Sequence, residues 1–135
     1  IFMKVSFDFD GTLELNSVQK YAEDLINRKI DVWIVTSRFS DDELYRRNFL
    51  NSLNIANSDL VEVIDRLGID RNKVIFTNME DKWKFIKDRG FIWHLDDDPI
   101  ENKMINSKTS TKGIDFFYNN KWKEQCEYFL KNVII

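Results

Sequence analysis

The sequence predicts an α/β fold, built from short parallel strands that alternate with helices, and three observations support this. Short runs rich in Val, Ile, Phe and Trp alternate with stretches that carry apolar residues three and four positions apart. The chain has 135 residues, a common size for one domain, and its 43% of hydrophobic residues can fill one core. With only 4 Gly and 1 Pro, the chain shows no linker or low-complexity segment.

Five strands are predicted in order along the chain. All are short and rich in the β-branched and aromatic residues that strands favour. Their ranges are residues 3–9, 31–36, 73–77, 91–95 and 113–118. Because helical stretches alternate with the strands along most of the chain, we expect crossover connections and a parallel sheet.

Helices are predicted at residues 17–28, 41–53, 58–67, 81–89 and 122–131. Several begin with Ser or Asp, which cap helix N-termini, and Asp98 before Pro99 also indicates a helix start. The expected architecture is a single Rossmann-like domain over residues 1–135, with about five parallel strands and helices on both faces. Between strands one and two there is room for one helix, and residues 39–72 hold two short helices and a loop, so no large cap domain is expected.

The composition argues against several classes of protein. The net charge of -3 gives no basic field that would bind a nucleic-acid backbone nonspecifically. Cys126 is the only cysteine, so neither an intramolecular disulfide nor a Cys/His zinc cluster can form. No apolar run is long enough to span a membrane, and the first residues carry no cleavage signal. We therefore expect a soluble cytoplasmic protein with no membrane partner.

Three segments with reactive side chains follow predicted strands. In an open parallel sheet, ligands bind beyond the carboxyl ends of the strands, beside the point where the strand order reverses. The three segments should therefore meet at one edge of the sheet. They are Asp8-Phe9-Asp10-Gly11-Thr12, Thr36-Ser37-Arg38 and Asp96-Asp97-Asp98-Pro99.

The first segment can bind an anion beside two acids. Asp8 and Asp10 are separated by one residue, so both carboxylates can face the cleft while Phe9 returns to the core. Gly11 permits a tight turn and close approach of a phosphate to backbone N–H groups, and Thr12 can cap the next segment. A pair of Asp at a strand end is by itself often only a turn signal.

The acidic residues at the two strand ends predict a metal ion. Their carboxylates would repel one another strongly unless a divalent cation lay among them. Oxygen ligands and a phosphate suit Mg²⁺ better than softer metals. The acidic residues are Asp8, Asp10, Asp96, Asp97 and Asp98.

These residues, in this order, resemble four motifs of the haloacid dehalogenase (HAD)-like hydrolase superfamily, in its capless phosphatase type. The resemblance covers nearly the whole chain. The four matching motifs are Asp8-Phe9-Asp10-Gly11-Thr12-Leu13, Thr36 in Val35-Thr36-Ser37-Arg38, Lys82, and Asp96-Asp97.

The resemblance implies a Mg²⁺-dependent phosphatase acting on phosphate monoesters. Asp8 would be the nucleophile that forms an aspartyl-phosphate, and Asp10 the general acid and base. Thr36 would donate a hydrogen bond to the phosphoryl group, and Lys82 would balance its charge. The implied Mg²⁺ ligands are Asp8, Asp96 and the Asp10 carbonyl, with Asp97 as an outer ligand. Two choices stay open at this point. Either Lys82 or Lys84 is the lysine that balances the charge of the phosphoryl group, and either Asp96 or Asp97 binds Mg²⁺ directly.

The substrate is the least determined part of the prediction. Gly11, Thr12, Ser37 and Arg38 are the candidate substrate-binding residues. By resemblance, capless members act on bulky substrates or cover the site by forming oligomers. We predict a phosphorylated small molecule, nucleotide or nucleic-acid end, because guanidinium and aromatic groups follow the second motif and can meet phosphate or base. Those groups are Arg38, Tyr45, Arg46 and Arg47.

Two other classes of protein share parts of this pattern. A response-regulator receiver also combines an acidic cluster, a phosphorylated Asp, a Thr or Ser and a Lys, but its acidic pair comes first and its Lys last. Here Lys82 precedes Asp96. A phosphate-binding regulatory module without activity is the second alternative. The complete motifs favour the enzyme, and His94 is interpreted as a packed or hydrogen-bonded side chain within a strand.

Overall fold

The computed structural model describes residues 3–47 and 57–133. Its five strands form one sheet in the order β3-β2-β1-β4-β5, and every neighbouring pair is parallel. The strand order reverses between β1 and β4, which creates a crevice at the carboxyl ends of these strands. The strands are β1 (Lys4–Phe7), β2 (Asp31–Thr36), β3 (Val74–Phe76), β4 (Phe91–Asp96) and β5 (Lys112–Asp115).

Helices cover both faces of the sheet, as the sequence predicts. One face packs against α1, α3 and α6 through a large core that includes Phe7, Leu60 and Trp93. The other face packs against α4 and α5 through a smaller cluster that includes Val35 and Ile105. The helices are α1 (Asn16–Asn27), α2 (Asp41–Arg46), α3 (Ser58–Leu67), α4 (Trp83–Ile86), α5 (Pro99–Lys108) and α6 (Trp122–Lys131).

Several elements are shorter than the sequence pattern predicts, among them β3, by one residue at each end. Strand β1 ends at Phe7 because residues 9–13 form a tight loop in which Gly11 has a φ of 75°. Helix α4 ends at Ile86, shortly before Asp88, whose φ of 62° lies in the left-handed region that ends helices. Strand β5 ends at Asp115, and the apolar residues that follow it lie in a loop.

Helix α5 is the one described helix that the apolar pattern does not predict. Its sequence lacks the repeated apolar spacing of the other helices, and only Asn102 and Ile105 of this helix are buried. Its predicted cap is confirmed, because the Asp98 side chain accepts hydrogen bonds from the backbone of Ile100 and Glu101, with Pro99 at the start of the helix. The helix predicted at residues 41–53 ends at Arg46 in the structure, and residues 48–53 of that prediction lie outside the described residues.

Each connection between the strands contains one or two helices in the described part of the chain. A loop and α1 join β1 to β2, while α2, α3 and a turn at Arg71–Lys73 lie between β2 and β3. No cap domain is present within residues 3–47 and 57–133, and the crevice above β1 and β4 is therefore not covered by these connections. None of the described helices has the length and apolar character needed to cross a membrane.

Candidate functional site

A cavity of about 470 Å³ lies at the carboxyl ends of β1 and β4. Asp8 follows β1 directly, and its N–H donates to the carbonyl of Leu95 at 2.9 Å, which holds the start of the loop against β4. The structure thus brings together the three segments that the sequence places at strand ends. The cavity is lined by Asp8, Asp10, Ser37, Lys82, Asp96, Asp97, Asp98 and Pro99.

The loop after Asp8 is shaped by Gly11. Its positive φ is unfavourable for any residue with a side chain, and a Cβ there would overlap the carboxylate of Asp97. The N–H of Gly11 donates to Oε1 of Glu14 at 2.5 Å, and the hydroxyl of Thr12 makes a long hydrogen bond of 3.4 Å to Asp8. Gly11 therefore lets Asp97 approach the loop that carries Asp8.

Lys82 lies between two buried carboxylates. Its Nζ is 2.7 Å from Oδ1 of Asp8 and 2.6 Å from Oδ2 of Asp96, and the residue is only 2% exposed. Lys84, on the same short helix, is exposed. Of the two candidate lysines, Lys82 is the one whose ammonium group reaches the acidic cluster.

A buried hydrogen-bond chain supports Asp96 from inside the sheet. Nε2 of His94 is 2.8 Å from Oδ2 of Asp96, and Nδ1 of His94 is 2.8 Å from the hydroxyl of Ser6. Burial lowers the pKa of His94, so the neutral ring donates to Asp96 and accepts from Ser6. The sequence interpretation of His94 as a hydrogen-bonded side chain is confirmed. Its contact with Asp96 was not predicted, although residues two apart on a strand face the same side.

The two carboxylates beside Lys82 differ in their tendency to ionise. Burial and the charge of Asp96 raise the pKa of Asp8 to about 9, against the opposing effect of Lys82. Burial also disfavours the charged form of Asp96, but the hydrogen bonds from His94 and Lys82 and the charge of Lys82 prevail and lower its pKa. The single ammonium group of Lys82 thus favours ionisation of Asp96 more than ionisation of Asp8. A further cation beside Asp8 would favour the ionised form of its carboxyl group as well.

Arg38 links Asp10 to helix α3. Its Nε and Nη2 bind the two oxygens of Asp10 at 2.9 and 2.7 Å, and its Nη1 and Nη2 bind those of Asp59 at 2.7 and 2.8 Å. The guanidinium also lies 5.0 Å from the centre of the Phe9 ring. The hydrogen bonds to Asp59, and to a lesser extent those to Asp10, raise the pKa of Arg38 above the ordinary value of a guanidinium group. The sequence reasoning missed Asp59, because an acidic residue in the first turn of a helix resembles an ordinary cap.

Thr36 and Arg38 are not among the residues that line the cavity. The Thr36 hydroxyl is buried and accepts from the N–H of Arg38 at 3.2 Å, whereas Ser37 does line the cavity. A substrate contact by Thr36 or Arg38 stays a prediction. On α2, Arg46 and Arg47 both form ion pairs with Glu43.

Three carboxylates could hold a metal ion. Asp8, Asp96 and Asp97 each offer an oxygen, and the three oxygens lie within 4.8 Å of one another. Asp10 is not part of this group, and both oxygens of its carboxylate accept from Arg38. A set made only of carboxylate oxygens fits a hard cation such as Mg²⁺. The geometry allows Asp97, as well as Asp96, to be a direct ligand.

Comparisons of this chain with protein-family models, with curated proteins and with solved structures found no match. The residues of the site offer a buried carboxylate at the base of a cavity, a neighbouring ammonium group and an oxygen ligand set.

Proposed function

We propose that this protein is a Mg²⁺-dependent phosphatase of the HAD-like type, which hydrolyses phosphate monoesters through an aspartyl-phosphate on Asp8. One observation carries the proposal. The Asp8 carboxylate lines the cavity 2.7 Å from the Lys82 ammonium, and it shares the three-carboxylate group with Asp96 and Asp97. A carboxylate nucleophile needs positive charge around an incoming phosphate, which the Lys82 ammonium supplies and a cation held by the three carboxylates would increase.

The proposed reaction has two steps. In the first, an oxygen of Asp8 forms a bond to phosphorus as the bond to the ester oxygen breaks, and Asp10 protonates that oxygen so that it leaves as the alcohol. In the second, Asp10 takes a proton from the water that attacks phosphorus, which frees Asp8 and releases phosphate. Lys82 balances the charge of Asp8 and of the phosphoryl oxygens. When bound by Asp8, Asp96 and Asp97, Mg²⁺ would supply further charge neutralisation.

Asp10 can act as the general acid and base although Arg38 already contacts its carboxylate. A carboxylate has about four lone-pair sites, and each Asp10 oxygen accepts one hydrogen bond from Arg38. The Asp10 side chain is also 54% exposed, so water and the leaving group can reach it from the cavity. Arg38 therefore orients Asp10 without enclosing it.

The test is phosphate release from a generic aryl phosphate with purified protein. We expect turnover with Mg²⁺, none with EDTA, and recovery when Mg²⁺ is added back. Asp8→Asn should lower kcat by about a thousandfold or more, because the amide is not a nucleophile. Asp42→Asn, the same change at an exposed position on α2, is the control and should retain full activity. Substantial activity in pure Asp8→Asn protein would falsify the aspartyl-phosphate mechanism.

A second candidate is a module that binds or accepts phosphate without turnover. The observation that favours it is the engagement of both Asp10 oxygens by Arg38, which would slow proton transfer if the contact persisted with phosphate bound. A small phosphodonor such as acetyl phosphate distinguishes the two candidates. A stable phosphoryl group on the protein, with no phosphate released, would favour the module, whereas continuous release would favour the phosphatase.

We place this activity in the reducing cytoplasm. Cys126 is a free, buried cysteine, and burial raises the pKa of its thiol, which disfavours the reactive thiolate. A thiol of this kind needs no oxidising compartment. Intact-mass measurement of protein purified without reductant should show an unmodified Cys126.

A further inference from the structure

A second cavity, of about 780 Å³, opens beside the acidic one. Gly11 and Asp97 both line it, and Asp97 lines the acidic cavity as well. A molecule whose phosphate lies against Asp8 can therefore extend past Gly11 into this second space. We call it the aromatic cavity, because its far wall holds Phe117 and Tyr118, from the loop between β5 and α6, and Trp122, the first residue of α6.

The loop presents two aromatic rings to solvent. Phe117 is 66% exposed and Tyr118 is 79% exposed, and the two rings lie edge to face with centres 4.7 Å apart. Their neighbours Phe116 and Trp122 pack instead against the main core. Exposed apolar surface that lines a cavity next to a reactive site is typical of a ligand-binding surface. A flat ring stacked on one of these two side chains would meet the other edge to face.

The polar groups of the aromatic cavity are mainly neutral amides. The side chain of Asn119 is engaged by Gln125 and by the N–H of Lys121. Asn120 is exposed and lines the cavity, and its amide makes no hydrogen bond with any residue in the described ranges. An amide can both donate and accept, as the edge of a nucleobase does. Among the described residues, Asp97 is the only charged one in the lining, and it lies at the boundary with the acidic cavity.

We infer that the aromatic cavity binds the base of a nucleoside monophosphate whose phosphate lies at Asp8. The inference rests on the proposed function, because it takes the phosphate to be bound in the acidic cavity. The volume lies within the range of small-ligand sites and leaves room for a base and a sugar. The site differs from the one predicted on α2, since Tyr45, Arg46 and Arg47 line neither cavity.

The first test compares two substrates that differ only by the base. We expect kcat/KM of the wild-type protein to be at least tenfold higher for adenosine 5′-monophosphate than for ribose 5-phosphate. The double variant Phe117→Ala, Tyr118→Ala should lose most of this preference, on the order of tenfold or more, because base stacking on aromatic side chains is removed. The loss should fall mainly on the nucleotide, because ribose 5-phosphate has no base to stack.

Tyr45→Ala is the matched control, since Tyr45 is 71% exposed but lines neither cavity. It should leave the preference intact, and a loss of preference in Tyr45→Ala instead of the double variant would move the base to α2 and overturn the inference. Phosphotyrosine is the third substrate. If it is preferred over the nucleotide, the cavity takes a phenol ring and the inference is wrong.

A binding experiment separates failure of this inference from failure of the proposed function. Adenosine 5′-monophosphate is titrated calorimetrically into Asp8→Asn protein, with and without the double aromatic substitution. Binding that the aromatic substitution weakens at least tenfold supports the subsite even if no variant releases phosphate. If adenosine 5′-monophosphate and ribose 5-phosphate are turned over equally, and the aromatic substitution leaves nucleotide binding unchanged, the inferred base subsite is wrong. The proposed phosphatase activity would then still stand.

Discussion

Two clusters in this site place one cation between two carboxylates, yet they differ in burial. In the Lys82 cluster, the side chains of Lys82, Asp8 and Asp96 are 3%, 7% and 1% exposed. In the Arg38 cluster, Arg38 is 21% exposed, and its partners Asp10 and Asp59 are 54% and 57% exposed. Each cluster has two ion pairs, but their contributions to the free energy of folding differ, because water screens the Arg38 cluster and does not screen the Lys82 cluster.

The two cations also distribute their charge differently. The Arg38 guanidinium has two edges, and each binds both oxygens of one carboxylate. The Lys82 ammonium is a point charge that contacts one oxygen of each partner, and the pKa of Asp8 stays raised, to about 9, mainly by burial and Asp96. The Arg38 cluster is complete within the chain. The Lys82 cluster is the one that a divalent cation would complete.

The largest effect on stability is expected from Lys82→Ala. Removing the ammonium group leaves buried carboxylates without their partner, which should lower the free energy of unfolding by roughly 3–5 kcal/mol. Lys84→Ala removes an exposed lysine from the same helix and should change it by less than about 0.5 kcal/mol. Urea unfolding monitored by tryptophan fluorescence measures both variants. Equal stability losses would mean that the buried contacts of Lys82 do not stabilise the fold.

A smaller effect is expected from Mg²⁺. An ion that binds only the folded protein stabilises it by about 2.7 kcal/mol at a hundred times its Kd, so the melting temperature should rise with Mg²⁺. Asp97→Asn should reduce this rise, whereas Asp59→Asn, in the Arg38 cluster, should respond as the wild-type protein does. Calorimetric melting curves at constant ionic strength test the difference. A response that Asp59→Asn weakens as much as Asp97→Asn does would contradict the assignment of the metal to the Lys82 cluster.

The smallest effect on stability is expected from Asp59→Asn. Its exposed contact with Arg38 should contribute no more than about 1 kcal/mol. The rate should respond more strongly, by roughly ten- to a hundredfold in kcat, because Arg38 then holds Asp10 less firmly in position. Asp65→Asn, which breaks another exposed ion pair of α3, is the control and should leave kcat unchanged. An unaltered kcat in stable Asp59→Asn protein would show that Asp59 does not position Asp10.

Local patterns in the sequence were sufficient to predict most of the fold. Runs such as residues 31–36 are apolar enough to identify a strand, and their alternation with amphipathic helices predicts a parallel sheet. The helix starting at Pro99 shows the limit of this reasoning. Its cap is visible in the sequence, but with only Asn102 and Ile105 buried it has too little apolar periodicity to predict its length.

The sequence by itself determined the α/β class, the five strands and the three acidic or polar segments at their carboxyl ends, because each depends on neighbouring residues. Only the tertiary structure decided which side chains meet. Lys82 reaches Asp8 across 74 positions of sequence, and Arg38 reaches Asp59 from another element. In the sequence, Phe117 and Tyr118 read as the end of a predicted strand, and only the fold shows that their rings are exposed in a loop. The physical reason is that side-chain direction and burial arise from packing between distant segments, which local periodicity does not encode.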